Sequence, residues 1–249
     1  MNFAKKNTNV ENVLLVDGLT RTGKFFLAKI VSELENVDFF QYLQVLEQIP
    51  YIYGLGGMSE DASIALIKSS VDYGVYNQIL GRSLNHRVLD RSSIYNSSNP
   101  ELYLKRQFEI IEKDEIIHLI RSNNKKHLFC THNVLTNIDI MLKAYPDLKM
   151  IHIIRNPVDL VFSWYKKKYG KINSYDRLNL NPDISKNGIA VPWYHNEWGD
   201  NDNGMNEVDI IIKSIKTLFD LINKKTSCMS TTDKDKIFII KYEKLIMDP

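Results

Sequence analysis

The most constraining feature of this chain is a short apolar run that leads through a glycine-rich turn into a helix-like segment. Residues 13–16 read VLLV, and residues 18–24 read GLTRTGK, which fits the phosphate-binding spacing G-x-x-x-x-G-K. Free backbone N–H groups and the helix dipole favour negative charge at the start of a helix. The segment therefore predicts an anion site between a buried strand and a helix.

The residue that follows this loop limits which anion it can hold. Phe25 stands where a nucleoside triphosphatase has the Ser or Thr that binds Mg²⁺. A phenyl ring cannot ligate a metal, so we expect the loop to work without magnesium. We expect no metal site elsewhere either, because the other histidines lack metal-ligand spacing: His86, His118, His127, His152 and His195.

Length and composition exclude several classes of protein. A chain of 249 residues with 44% hydrophobic content can bury one sizeable core, so we expect a single domain over residues 1–249. The 32 Lys and Arg against 30 Asp and Glu argue against bulk nucleic-acid binding. The chain has only two cysteines, Cys130 and Cys228, which fits a reducing compartment. It shows no apolar core of a signal peptide and no apolar run near the roughly 20 residues of a membrane span. We therefore expect a cytoplasmic protein.

Short apolar runs alternate with helix-like segments along the chain. The runs cover residues 13–16, 128–131, 150–154 and 237–240, and the helical patterns cover 25–34, 62–70, 102–121, 138–145, 158–169 and 208–223. Such runs suit strands buried on both faces, which favours an α/β fold with a doubly wound parallel sheet and ligands at the carboxyl ends of its strands.

Two polar stretches interrupt this alternation. Residues 170–206 are rich in Asn, Asp, Gly and Pro and contain three aromatic residues that could stack on a sugar or a base, so we expect a long loop or lid there: Trp193, Tyr194 and Trp198. Residues 224–236 suggest a solvated linker. The Arg-rich residues 81–87 and 90–93 either line an acceptor pocket or form a capped surface loop.

A second strand-to-helix turn follows the third apolar run. Arg155 comes at the end of this run, Asn156 can cap the next helix, and Pro157 suits its first position. Ser163 then brings a hydroxyl into a largely apolar helix, where it needs a partner. Taken alone, the arginine could be a surface ion pair and the serine could bond back to its own helix.

Taken together, the two turns resemble the sulfotransferases that use 3′-phosphoadenosine-5′-phosphosulfate (PAPS). Residues 20–23 look like the 5′-phosphosulfate loop of that family, and Arg155 with Ser163 looks like its 3′-phosphate element. Residues 129–132 are similar to its Lys-Thr-His strand end, and residues 241–245 to its Tyr-Glu-Asp-Leu strand. The resemblance implies a three-layer sandwich related to nucleotide kinases, PAPS as donor, and direct sulfuryl transfer to a hydroxyl or amine without an obligatory metal.

The chain departs from that family in two respects. Lys24 and Phe25 replace the small hydroxyl residues that usually follow the loop glycine, so we expect the Lys24 ammonium to take over a 5′-phosphate contact. The sequence ends at Pro249, just after the last predicted strand, whereas many members continue into a basic segment that closes over the 3′-phosphate. We therefore expect either a truncated chain or a more open donor site.

Sulfuryl transfer needs in-line alignment, neutralisation of the leaving phosphate and removal of the acceptor's proton. We assign Arg21 to the leaving-group oxygen, with Lys24 beside it. His132 follows a strand and is the leading candidate for the base, with Glu47 as its competitor. The predicted donor-binding residues are Gly18, Leu19, Thr20, Arg21, Thr22, Gly23, Lys24, Phe25, Arg155 and Ser163.

Two other classes of function stay open from the sequence. A nucleotide kinase would use the same loop, but it needs a hydroxyl after Lys24 and an acidic metal ligand at a strand end. A non-catalytic module could bind an anion without reacting it. For a sulfotransferase, the acceptor could be a carbohydrate, a lipid-linked glycan, a small alcohol or a peptide tyrosine, and the motifs do not separate these or define an oligomeric state.

Overall fold

The computed structural model describes residues 2–4, 7–122, 124–174, 182–199 and 204–248. Its strands are β1 (Val13–Gly18), β2 (His127–Cys130), β3 (Lys149–Ile154), β4 (Asp183–Lys186), β5 (Ile189–Pro192) and β6 (Ile237–Lys241). Its helices are α1 (Lys24–Val31), α2 (Val45–Gly54), α3 (Glu60–Ile79), α4 (Pro100–Lys105), α5 (Lys113–Ser122), α6 (Ile138–Ala144), α7 (Pro157–Lys166), α8 (Tyr169–Ser174), α9 (Glu207–Cys228), α10 (Thr231–Lys234) and α11 (Tyr242–Met247).

The centre of the fold is a four-stranded parallel sheet in the order β2-β1-β3-β6. Successive side chains of a strand point to opposite faces of the sheet, so each apolar run contributes side chains to two hydrophobic cores. Leu15 and Phe129 belong to one core, whereas Val16 and Cys130 belong to the other. This double burial explains why the strands read as continuous apolar runs, and it confirms the predicted α/β fold with a parallel sheet.

Helices cover both faces of the sheet and give three layers. The larger core is closed by α2, α3, α5, α6, α7 and α9, and the smaller one by α1, α4 and α11. Because every strand runs in the same direction, the carboxyl ends of β1, β2 and β3 meet at one edge, and the turns after them form the candidate site. None of the described helices is long and apolar enough to cross a bilayer.

The helices differ from the predicted pattern at three points. The predicted helix over residues 102–121 is two helices, α4 and α5, and α2 was not predicted at all. The predicted linker over residues 224–236 is wrong, because α9 runs on to Cys228 and α10 follows it. The polar residues there are stabilised locally: Lys225 binds Asp139 at 2.7 Å, and Ser230 accepts a hydrogen bond from the Asp233 amide.

The predicted lid region contains ordered elements over most of its described part. Helix α8, the antiparallel β4–β5 hairpin and a short 3₁₀ turn at Trp193–His195 lie within residues 169–199, while residues 175–181 and 200–203 fall outside the described residues. Trp193 is buried and stacks on Tyr51 with ring centroids 5.1 Å apart. Trp198 is buried and donates to Thr217. These two rings pack into the protein, which corrects the expectation that they could stack on a ligand.

Candidate active site

The turn between β1 and α1 is closed by its own hydrogen bonds. The amide and the hydroxyl of Thr22 both donate to the Leu19 carbonyl, at 3.2 and 2.7 Å. Arg21 and Gly23 have positive φ angles of 72° and 94°. A Cβ on Gly23 would lie 2.5 Å from the Tyr242 ring, so only glycine fits there. The first amides of α1 have no acceptor within the helix and lie at the positive end of its dipole.

The side chain of Lys24, the residue after the loop glycine Gly23, lies beneath the loop. Its side chain is buried, and its ammonium donates to the Leu19 carbonyl at 3.2 Å. Burial lowers the pKa of Lys24 to about 8, against the opposing effect of nearby Glu47 and Asp17. The loop thus holds a cation that loses its charge just above neutral pH.

Arg21, Arg155 and Ser163 converge beside the loop, as the sequence predicted. Arg21 Nε donates to Ser163 Oγ at 3.2 Å, and Arg155 Nη1 donates to the Arg21 carbonyl at 3.1 Å. The Arg155 guanidinium lies 4.7 Å from the centroid of the Tyr242 ring. Its Nε is buried and has no hydrogen-bond partner among the described residues. A buried N–H donor without an acceptor is costly, and an anionic oxygen would satisfy it.

The segment after β6 supports this second turn. Strand β6 ends at Lys241 and α11 begins at Tyr242, so the motif at residues 241–245 lies at a strand-to-helix turn and not on a strand as the family pattern suggested. Glu243 accepts a hydrogen bond from the Asn156 amide at 2.7 Å, while the Asn156 side chain caps α7. The turn after β6 therefore fixes the turn after β3 that presents Arg155.

The two candidate bases, His132 and Glu47, form one hydrogen-bonded pair. Glu47 Oε1 lies 2.7 Å from the His132 amide nitrogen and 2.5 Å from its Nδ1. Burial raises the pKa of Glu47 to about 8 and lowers the pKa of His132 well below its usual range. Above pH 8 the carboxylate accepts Nδ1–H and leaves Nε2 free to take a proton. Below it, the carboxyl donates to Nδ1 and the proton on the ring moves to Nε2.

A fully buried carboxylate, Asp17, holds the turn that carries this histidine. It accepts hydrogen bonds from the Thr131 hydroxyl at 2.9 Å and from the amides of Val134 and Leu135 at 3.0 and 3.2 Å. His152 Nδ1 lies 2.9 Å from its other oxygen. These bonds more than offset the effect of burial, so the pKa of Asp17 is lowered. The residues on both sides of His132 are thereby hydrogen-bonded to Asp17 in β1, which fixes the position of the histidine ring.

The β1–α1 loop, His132 and Arg155 face one cleft of about 580 Å³. Seven residues predicted from the sequence line it: Thr20, Arg21, Gly23, Lys24, Phe25, His132 and Arg155. Four others support the lining from behind: Leu19 and Thr22 are buried inside the loop turn, Gly18 packs against β3, and Ser163 contacts Arg21.

Sequence reasoning missed several residues of the cleft wall. The Tyr42 ring lies against Phe25 and His132, with centroids 5.8 and 5.6 Å away, and Tyr169, Tyr242 and the exposed Leu89 also line the cleft. Asp90, Arg91 and Ser92, which belong to the Arg-rich segment that the sequence analysis singled out, line it as well. Among Tyr42, Tyr169 and Leu89, only Tyr42 has a signal in the sequence, because it precedes Glu47 by five residues. The Phe25 ring is 5.9 Å from the His132 ring, so the residue that stands in place of a metal-binding hydroxyl forms an apolar wall beside this candidate base.

Fold and site together define an α/β protein whose anion-binding loop lies beside a histidine–carboxylate pair. A family model described as the sulfotransferase domain matches residues 12–249, and the chain therefore belongs to this family. The match supports sulfotransferase activity for the chain. No curated protein matches the sequence. Within the described residues, no group of three or more His, Cys, Asp or Glu side chains could hold a metal ion.

Solved structures of low sequence identity are similar over nearly the whole chain. The sulfotransferase domain of the curacin biosynthetic pathway is 11% identical, with 98% of this chain and 71% of that chain covered and a TM-score of 0.48. The sulfotransferase domain of a Synechococcus olefin synthase is 13% identical, with 100% and 73% covered and a TM-score of 0.42. A sulfotransferase from Alicyclobacillus acidocaldarius is 13% identical, with 98% and 77% covered and a TM-score of 0.36.

Proposed function

We propose that this protein transfers a sulfuryl group from PAPS to a hydroxyl or amine of a small molecule or glycan. The observation that supports this most is the convergence of Arg21 and Arg155 beside the amides that begin α1. The buried Nε of Arg155, which has no partner among the described residues, fits a second phosphate next to the loop, where Arg155 contacts the Arg21 carbonyl. Free Cys130 and Cys228 suit a reducing compartment such as the cytoplasm, which we propose as its location.

The donor side of the reaction is assigned to the loop and the two arginines. PAPS, when bound, supplies the sulfuryl group and the phosphate that leaves. The first amides of α1 and the Lys24 ammonium would hold its 5′ end. Arg155 and Ser163, which both contact Arg21, would hold the 3′-phosphate. Arg21 would neutralise the charge that develops on the leaving-group oxygen. These cations take the part that a metal plays in phosphoryl transfer.

The acceptor side of the reaction is assigned to His132. With Glu47 ionised, Nδ1–H is donated to the carboxylate, and Nε2 can remove the proton from an acceptor hydroxyl as its oxygen bonds to sulfur. Glu47 is thus a positioning residue that selects the tautomer. The two bases that the sequence left as competitors act in this proposal as one unit.

Two alternatives make different predictions about ligands. A kinase would need Mg²⁺ at this loop, but Phe25 offers no ligand and Asp17 is buried with its oxygens bonded to the β2 turn and His152. A non-catalytic module would bind an anion and leave it unchanged.

Thermal stability separates these functions. We expect adenosine 3′,5′-bisphosphate to raise the melting temperature more than ATP with Mg²⁺ does, because the proposal assigns a separate site to each of its two phosphates. Arg155→Gln should remove most of that preference, while the matched surface variant Arg121→Gln should keep it. A preference for ATP would favour the kinase, and binding of the bisphosphate without sulfated product from any acceptor would favour the non-catalytic module.

A further inference from the structure

A third side chain, Tyr42, contacts both members of the histidine–carboxylate pair. Its hydroxyl donates to Glu47 Oε2 at 3.3 Å, and its ring meets the His132 ring edge-on, with centroids 5.6 Å apart and planes inclined by 85°. His132 uses the other carboxylate oxygen, since its amide nitrogen and Nδ1 lie 2.7 and 2.5 Å from Glu47 Oε1. The two oxygens of Glu47 therefore serve different partners.

The position of Tyr42 is fixed by the residue before it and by its own ring. The Gln41 amide donates to the Leu128 carbonyl at 2.9 Å, and the Gln41 carbonyl accepts from the Cys130 amide at 2.8 Å, which anchors this stretch of backbone to β2. The Tyr42 ring packs on Phe25 at a centroid distance of 5.8 Å. These contacts hold the hydroxyl in place, while Tyr42 stays 40% exposed at the cleft wall.

The phenol of Tyr42 acts as a hydrogen-bond donor throughout the neutral range. Burial and the nearby Glu47 carboxylate raise the pKa of Tyr42 above its ordinary value, so the hydroxyl keeps its proton. A donor stabilises an ionised carboxylate more than a protonated carboxyl, because charge-assisted hydrogen bonds are the stronger ones. The bond from Tyr42 therefore opposes the burial that raises the pKa of Glu47 to about 8.

Other titratable groups act on Glu47 as well, and a substitution of Tyr42 leaves all of them in place. Burial has the largest effect on the pKa of Glu47, the charge of Lys24 lowers it, and the charge of Asp17 raises it. Among the described residues, the titratable groups around Glu47 besides Tyr42 are Asp17 in β1, Lys24 in α1, Tyr51 in α2, Cys130 in β2 and His132 after β2. Burial raises the pKa of Tyr51 and of Cys130, so these two stay neutral.

We propose that Tyr42 is a positioning residue whose hydroxyl holds Glu47 as the carboxylate, so that Glu47 in turn keeps the hydrogen of His132 on Nδ1. The phenol donates to Oε2, Oε1 accepts Nδ1–H, and Nε2 is left to take the proton of the acceptor hydroxyl. Tyr42 itself gives up no proton in this step. The inference rests on the proposed function and adds a third member to the group assigned to remove that proton.

Tyr42→Phe isolates the hydroxyl, because a phenyl ring can keep the contacts with Phe25 and His132. The ¹⁵N shifts of the His132 ring nitrogens report which of them carries the hydrogen, so they follow the ionisation of Glu47 without any substrate. We expect a midpoint near pH 8 in the wild type and about one pH unit higher in Tyr42→Phe. Tyr73→Phe, a matched change at an exposed tyrosine of α3, should keep the wild-type midpoint. An unchanged or lower midpoint in Tyr42→Phe would overturn the inference.

The pH profile of kcat distinguishes positioning from a general loss of structure. At saturating PAPS and acceptor, Tyr42→Phe should be about tenfold slower than the wild type at pH 7 and should match it by pH 10, where both enzymes carry the ionised carboxylate. A variant whose active site is only loosened would be slower by the same factor at every pH. That result would refute the role of Tyr42.

The two measurements together separate this inference from the proposed function. A raised midpoint with the matching shift in the kcat profile would support both. Sulfated product with the same midpoint and the same profile in wild type and Tyr42→Phe would uphold sulfuryl transfer and refute the role of Tyr42. A raised midpoint without sulfated product from any acceptor would uphold the effect of Tyr42 on the pair and refute the proposed reaction.

Discussion

Glu47→Gln is the most informative single substitution, because Glu47 defines which nitrogen of His132 carries the proton. Oε1 of the carboxylate lies 2.5 Å from Nδ1 and also accepts a hydrogen bond from the His132 amide. An amide side chain of nearly the same shape that turns its NH2 group to this position donates to Nδ1 and gives up the bond from the His132 amide. The variant should then hold the ring in the tautomer that has its hydrogen on Nε2. That tautomer cannot accept a proton from the acceptor hydroxyl.

The size of the effect follows from the same geometry. Holding a catalytic histidine in the wrong tautomer costs roughly 10⁴-fold in turnover in the serine proteases, so we expect a loss of about 10³- to 10⁴-fold. The pKa of Glu47 is raised to about 8 by burial, so the wild-type rate should climb about tenfold per pH unit up to pH 8 and then level off. The variant has no carboxyl to titrate, so this slope should disappear.

The assay is kcat against pH from 6 to 9, at saturating PAPS and acceptor, for wild type, Glu47→Gln and the matched control Glu60→Gln. Glu60 is an exposed carboxylate paired with Lys143 outside the cleft, so its variant should follow the wild-type profile. A Glu47→Gln enzyme that keeps both the rate and the slope would refute the pairing. Activity that survives His132→Ala but is lost in Glu47→Gln would make Glu47 itself the base.

Three further substitutions test the loop and the fold. Arg21→Ala should lower turnover on the order of 10²-fold or more at saturating PAPS, and an unchanged rate would remove the leaving-group assignment. The KM for PAPS should rise as pH passes about 8, because the Lys24 ammonium of the ligand-free enzyme loses its charge there. This rise should be absent in Lys24→Gln if the ammonium binds phosphate. The buried Asp38 pairs with Lys125 at 2.9 Å and lies 3.1 Å from His127, which lowers its pKa from 3.8 to about 2. This pair therefore adds about 2 kcal/mol above pH 4 that disappears as pH falls through 2. Urea unfolding of Asp38→Asn should show that loss at pH 7 and little of it near pH 2, and an equal change in the free energy of unfolding at both pH values would show that the pair contributes nothing.

The part of the site that the sequence predicted well is the part made by local chain geometry. Gly18, Gly23 and Lys24 fall at fixed spacing between a strand and a helix, and Arg155 follows another strand directly. In a parallel sheet, residues at equivalent strand ends must meet at one edge whatever the connections between them. For this reason two turns more than 130 residues apart could be expected to converge, and the 3.1 Å contact between Arg155 and the Arg21 carbonyl confirms that they do.

The part that the sequence did not reveal depends on connections without a local signature. Helix α2 contains Pro50 and ends at Gly54, which disguises its helical pattern, yet its first turn brings Glu47 to His132 across 85 residues. The Arg-rich residues 81–87 and 90–93 left two interpretations open, and only the packed structure shows that Asp90, Arg91 and Ser92 line the cleft.

The residues that the sequence predicted and those that it did not are positioned by different parts of the fold, and this bears on how specificity arises. The groups proposed to neutralise phosphate lie at strand ends, where backbone geometry dictates their position. Tyr42 and Leu89, which line the cleft beside them, lie on connecting segments whose contacts are set by tertiary packing alone. Connections can change without disturbing the sheet, so a fixed donor loop can be combined with different acceptor pockets. In this chain the connection after α1 brings the Tyr42 ring to 5.6 Å from the ring of His132, the proposed base, at the wall of the cleft.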